Sequence, residues 1–475
     1  AYDSNIQMPY TQSWSAGWQR KLTSDSALEV RYVGSRHKMD WETVNLNEVN
    51  ITTNGFLNEF RLAQANLQAN MAAGRGATFA YTGAGTSPLP ILLAHLNAQP
   101  VTNAGNAAVY TGANWTSATF LGFLAARNPN PWGFATTGAN GLVGNATLRN
   151  NAAAAGLPVN FFVANPDMLG GANLTTNGGG TRASSMQVEY RKRYSRGLAF
   201  NTSYTFSTAE ILRRFGFNKP EEWMNQAGQV GNVEHALKGS INWEIPIGKD
   251  RRYGSSLPGA VDTVIGGWSV DTVARIQSGE VLDFGNVRLV GMSEKDLQKA
   301  IKIQQGPSGQ MFVLPDDILQ NTVKAFSVSP TSASGYGTLG APSGRYFAPA
   351  NGPDCIETAP GYGDCGMRSI TVNGPALVRF DIGISKRFQV VKSITFEFRG
   401  EMLNAFNQPY FNPASAGGTP LGFTTTVTSP AGPVASGGTP TANTTAATNV
   451  DNYRLTALLG DNQARIVQLV WRVRW

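Results

Sequence analysis

Short stretches of this chain alternate between two kinds of side chain. From Tyr10 to Leu22 the even positions, Tyr10, Gln12, Trp14, Ala16, Trp18, Arg20 and Leu22, are mostly apolar and aromatic, with Thr11, Ser13, Ser15, Gly17, Gln19 and Lys21, all small or polar, between them. Successive side chains of a strand point to opposite faces, so this pattern predicts one strand with two environments. It recurs eight more times, and the nine predicted strands lie near 10–22, 27–33, 184–194, 198–207, 235–246, 267–278, 377–388, 394–403 and 464–475. Each pairs an apolar row, such as Val378, Phe380, Ile382 and Ile384, with a polar one. Aromatics stand near the strand ends, as Tyr10, Trp18, Tyr194, Trp268, Phe388 and Trp475 do.

The polar rows carry full charges in strand interiors: Glu29, Arg31, Glu189, Arg191, Arg193, Asp271, Arg275, Arg379, Asp381, Glu397, Arg399 and Glu401. A dry sandwich core would exclude them, whereas an aqueous lumen accepts them. Aromatic girdles on the opposite face belong at the two interfaces of a bilayer. The expected fold is therefore all-β, a transmembrane antiparallel outer-membrane β-barrel, with 1–475 as the C-terminal portion of one barrel domain.

The connections alternate in length. Thr23–Ser26, Ser195–Arg196 and Gln389–Ser393 are short, and Gly248–Gly267 is longer but compact. Much longer stretches, 34–183, 208–234, 279–376 and 404–463, lie between them. Short periplasmic turns and long extracellular loops are the habit of such barrels. The long stretches carry short helical patterns: the stripe Phe56, Phe60, Ala63, Leu67 and Met71, then 90–96, 116–127, 293–303 and 316–325. The Thr/Gly/Pro/Ala stretch 413–449 is low in complexity and is expected to be mobile or an exposed loop. If the short turns are periplasmic, the first strand runs inward and the last ends in the periplasm. Nine strands in a barrel of even count then imply an odd number upstream of Ala1.

Composition narrows the picture. Charged residues are only 15% of the 475, against 53 glycines. The net charge is +7, but the basic residues are scattered, with clusters only at Arg191–Arg193 and Lys249–Arg252, and no nucleic-acid-binding motif adjoins either. No apolar run reaches the roughly 18 residues a membrane helix needs. Cys355 and Cys365 have no second cysteine pair or nearby histidine to complete a metal site. They are read as a loop disulfide in an oxidising compartment.

Catalysis finds little support. His37 and His95 fall in loops, His235 opens a strand, and none has a Ser/Asp or metal-ligand constellation nearby in sequence. The expectation is a non-enzyme without cofactor or metal. Asp381 and Arg399, on adjacent strands of a tight hairpin, are candidates to pair across it. The inward charges are read as structural ion pairs or plug contacts, with direct substrate contact as the alternative.

Several segments together resemble the barrel of Oar-like TonB-dependent transporters. They are Met8–Trp14, Leu28–Arg36, Asn45–Asn50, Gly266–Trp268, Gln277–Gly279 and Arg399–Asn407. That resemblance implies a large barrel with an N-terminal carboxypeptidase-regulatory-like domain and a plug bearing the energy-coupling segment. Both are expected upstream of this sequence. Trp471, Val473 and Trp475 resemble the C-terminal signal read by the barrel-assembly machinery. The implied partners are outer-membrane lipid, that machinery, and an energy-coupling inner-membrane complex acting through the plug. The resulting function is transport of a large or scarce substrate across the Gram-negative outer membrane. The alternative is a surface-structural or adhesive barrel acting through its loops.

Overall fold

The structure is a computed structural model. It describes residues 1–168, 171–214, 221–225, 233–249, 251–279, 281–306, 309, 311–359, 362–391, 394–410, 454–455 and 464–474. Nine long strands form one sheet: β1 (Tyr10–Lys21), β2 (Ser26–Asn45), β3 (Asn173–Ser195), β4 (Leu198–Arg213), β5 (His235–Glu244), β6 (Trp268–Gln277), β7 (Leu377–Val391), β8 (Ile394–Leu403) and β9 (Ile466–Arg474). Each pairs antiparallel with its neighbour in chain order, and β1 and β9 form the two edges, so the sheet is open. A short strand, Glu222–Asn225, adds to the far end of β4.

The register keeps the two faces separate across all nine strands. Trp18 pairs with Val30, Val30 with Val188, Val188 with Tyr204, and Tyr204 with Leu237. Farther along, Ile276 pairs with Val378, and Phe398 with Trp471. One slip of a single residue would turn a whole row over. The result is one aliphatic and aromatic face, with Trp18 51% and Trp471 63% exposed. A water-facing apolar sheet of this extent would aggregate; facing lipid, it is stable.

Three strands exceed their predicted lengths by six residues or more. The segment 27–33 belongs to a strand of 20 residues, Ser26–Asn45, and 184–194 to one of 23, Asn173–Ser195. The segment 198–207 runs on to Arg213. Beyond Val33 and before Ser185 the rows turn largely polar, and Met39, Trp41, Val44 and Leu174 are too scattered to mark the continuation by apolar alternation. At about 3.3 Å per residue β2 is roughly 65 Å long, about twice what a bilayer needs. The β2–β3 pair therefore projects beyond the sheet's apolar band. The stretch 34–183 is thus part strand, and its loop is 46–172.

The buried core lies in the connections. The β2–β3 connection carries α1 (Phe56–Ala72), α2 (Pro90–Asn97), α3 (Ala118–Phe123), α4 (Pro131–Thr136) and α5 (Ala146–Ala154). They close around Phe56, Phe60, Leu67, Phe79, Leu92, Trp115 and Phe134. The β6–β7 connection builds a second core from Leu282, Phe284, Leu297, Ile318, Phe326 and Phe347. It uses α7 (Glu294–Ala300), α8 (Asp316–Phe326) and small strand pairs such as Val287–Val290 with Tyr346–Pro349. The two modules touch: Arg127 donates to the Ser334 carbonyl at 3.1 Å and lies over the Tyr336 ring. The pattern at 116–127 yields a helix only over Ala118–Phe123, because Asn128-Pro129 and the turn before it break it early. The stretch 413–449 lies outside the described residues.

The β5–β6 link, read only as compact, contains α6 (Gly259–Ile265). Val261, Val264 and Ile265 on it are exposed. The side chain of Lys386, on the apolar face, donates to the carbonyls of Thr263 at 2.6 Å and Val264 at 3.1 Å, so the ammonium clamps the helix's last turn. The helix C-terminus attracts a cation there.

Candidate functional site

The polar face of the sheet gathers all twelve charges singled out from the sequence. Glu29 stands opposite Glu189, Asp271 opposite Gly383, Arg275 opposite Arg379, and Arg399 opposite Ser385. Most are neutralised along their own strand, two residues apart on the same face. Glu29 holds Arg31 and Arg191 holds Glu189, the latter at 2.6 Å. Arg379 holds Asp381 at 3.0 Å, and Arg399 holds Glu401 at 2.6 Å. Glu397 sits between Arg387 and Arg474, each at 3.4 Å. Asp271 accepts from the Asn242 amide. The side chain of Arg193 takes no part in these pairs.

The pairing of Asp381 with Arg399 does not occur. Arg399 faces Ser385, four residues along β7 from Asp381, a span of about 13 Å at strand rise. Asp381 takes Arg379 and the Asn404 backbone N–H instead.

One row crosses seven strands in register: Gln19, Glu29, Glu189, Ser203, Lys238, Arg275 and Arg379. Adjacent strands lie about 4.8 Å apart, so the row passes from two carboxylates to three cations across some 20 Å. Lys238 was not singled out in sequence, because its neighbours are visible only once β4, β5 and β6 are paired. The residues Asn201, Ser203, Lys238, Ser240 and Arg275 line a concavity of about 390 Å³ on this face.

His37 is not in a loop. It lies in β2, its Nε2 meets Asp40, and its Nδ1 meets the Thr11 hydroxyl at 2.8 Å. Together they form a hydroxyl–imidazole–carboxylate string. Thr11 and His37 are directly opposed in register, and Met39, whose φ of 63° is left-handed, kinks β2 between His37 and Asp40 without shifting its register against β3. The string ties β1 to β2. His235 bonds the Tyr204 hydroxyl at 2.7 Å. Among the described residues no three His, Cys, Asp or Glu side chains group as metal ligands.

The loop modules bury two titratable groups around one helix. Glu59 of α1 accepts from the Ile91 and Leu92 N–H groups, at 2.8 and 2.6 Å, at the start of α2. That end has no side-chain cap of its own, and Pro90 opens it. Burial raises the Glu59 carboxyl to about 7, against the pull of those two N–H groups. His95, in α2 rather than a loop, shares its Nδ1 proton with the Ile91 carbonyl at 2.8 Å, and burial lowers it to about 4. Cys355 and Cys365 are joined in a disulfide, with Cα atoms 5.6 Å apart. Of the terminal trio, Trp471 and Val473 lie on the apolar face of β9, and Trp475 lies outside the described residues.

Among solved structures, the chain is similar to the outer membrane transporter YddB from Escherichia coli, with 8% identity and a TM-score of 0.25, over 85% of this chain and 30% of that one. It is also similar to a Pseudomonas aeruginosa FadL homologue, with 8% identity and a TM-score of 0.15, over 86% of this chain and 62% of that one. The chain thus spans less than a third of the YddB chain. No curated protein matches it. The family model for the outer membrane beta barrel domain matches residues 1–437, and with it the two-faced sheet acquires a place: this chain belongs to the outer membrane beta barrel domain family.

Proposed function

We propose that this chain forms part of the wall of a TonB-dependent, Oar-like transporter in the outer membrane. The single observation that carries the transport reading is the sheet itself. Its apolar face suits lipid, and its opposite face holds charges, most of them in ion pairs, suited to water. In this reading the twelve charges line the lumen, the two modules stand outside the cell, and β9 ends in the periplasm. Trp471 and Val473 then serve the assembly machinery. Energy coupling enters through a plug outside this sequence, and the reading rests there on the resemblance at Leu28–Arg36 and Arg399–Asn407.

A surface-adhesive barrel is the second reading. It is favoured by the loop modules, which have packed cores of their own. The experiment compares solute uptake by cells with and without the full-length protein, each with and without a protonophore. Uptake that needs both the protein and the proton gradient supports transport. Protein-dependent attachment to surfaces with unchanged uptake replaces it with adhesion.

A further inference from the structure

The cations of the polar row are arranged unlike every other charge on that face. Lys238 and Arg275 are directly opposed across β5 and β6, and Arg275 is directly opposed to Arg379 across β6 and β7. Like charges in directly opposed positions repel. Elsewhere on the face, opposed like charges are relieved along the strand, as Glu29 is by Arg31 and Glu189 by Arg191. Here the relief is partial. Asp381 serves Arg379. Arg275 donates its Nε to the neutral Gln277 amide at 2.7 Å, and among the described residues neither Arg275 nor Lys238 has a carboxylate partner. Both cations border the same concavity of about 390 Å³. Its other polar lining groups, Ser203, Ser240 and Asn201, stand beside Gly239, Val273 and Ala274 and can bond an anion's oxygens through their hydroxyl and amide hydrogens.

Repulsion, an open concavity and neutral donors around it describe a seat with its counter-charge left out. We propose that Lys238 and Arg275, with Ser203 and Ser240, bind the phosphate or carboxylate end of a solute on the inner wall. Arg275 offers a planar fork for two oxygens, and Lys238 a point charge beside it. The row's other end, Glu29 and Glu189, repels the same group, so a bound anion is held on one side of the lumen. This rests on the water-facing reading of the polar face, which has its own control below.

The test uses the full-length protein in detergent, with inorganic phosphate and citrate as separate probes. Binding is measured by calorimetry at low salt. The expected result is saturable binding of one probe or both, with phosphate or citrate preference identifying the anionic group. Lys238→Gln and Arg275→Gln should each weaken it about tenfold, and the pair should abolish it. Glu29→Gln should not weaken it. In anion-free buffer Lys238→Gln should raise Tm by about 1–2 °C by removing repulsion, and saturating anion should reverse the order. Binding that survives the double replacement overturns the site. So does the absence of binding of both probes by the parent protein. Separately, Thr205→Cys, on the same face, is exposed to a membrane-impermeant maleimide in intact outer membranes. Protection there, with anion binding retained in detergent, sinks the lumen reading and leaves the site.

Discussion

The indole of Trp14 lies over the bare α-carbon of Gly34, its directly opposed partner on β2. A Cβ at Gly34 would meet the indole's Nε1 and Cε2. Glycine here makes room for a ring on the apolar face, at the edge of the sheet. Gly34→Val should cost about 1–3 kcal/mol by expelling the ring. Gly17→Ala, where a Cβ meets nothing within 4 Å, should be nearly silent. Equal denaturant midpoints for the two variants would show that Trp14 is not seated.

The lipid face and the polar face should respond oppositely to the same charge. Leu469 pairs with Gly400 on the apolar row, and Gln468 pairs with Glu401 on the polar row. Leu469→Arg should destabilise the folded barrel by about 2–4 kcal/mol if it sits near the bilayer midplane. Gln468→Arg, beside Glu401, should be tolerated within about 0.5 kcal/mol. Folding titrations into lipid vesicles measure both; equal effects would remove the two-faced wall.

Lys386 is 5% exposed, and its ammonium holds two carbonyls of α6. Lys386→Met keeps the stem and loses the clamp. The expected loss is about 1.5–3 kcal/mol, the scale of hydrogen bonds to a charge. Proteolysis within 259–265 should accelerate in step. Unchanged protection of this segment would mean α6 is held by its apolar side alone.

Glu59 and His95 should give the first module opposing pH dependences. Glu59 has a folded value of about 7 against 4.5, so between these the folded form binds more protons and stability falls as pH rises. His95 has about 4 against 6.5, so the unfolded form binds more protons and stability rises with pH across that window. Each slope approaches about 1.4 kcal/mol per pH unit, and they offset one another from pH 4.5 to 6.5. Denaturant titrations should therefore show a nearly flat parent. His95→Gln should lose stability from about pH 4.5 to 7, and Glu59→Gln should gain it from about pH 4 to 6.5. Parallel curves for all three proteins would contradict the burial argument.

The disulfide closes a loop of ten residues' separation in the second module. Cys355→Ser with Cys365→Ser should lower that module's stability by about 2–3 kcal/mol. Hydrogen exchange in 350–370 reads it directly. Unaltered exchange rates would assign the loop's order to its other contacts, among them the Glu357 carboxyl with Asn286.

Nine strands, their two faces and the helical stripes in the loops were legible in the sequence, because period-2 and period-3.6 burial leave a mark wherever one side is apolar. The lengths of β2 and β3 were not, since a strand that is polar on both sides has no such mark; Arg36, Lys38 and Asn177 carry no hint of pairing. Which charges meet was decided by tertiary structure alone. Asp381 and Arg399 have suitable chemistry but lie four residues out of step, and Asp40 reaches His37, the register partner of Thr11, across the left-handed Met39. The row from Glu29 to Arg379 draws on six strands spread over some 350 residues. Alternation specifies the face a side chain takes; only register, a property of paired backbones, specifies its neighbour.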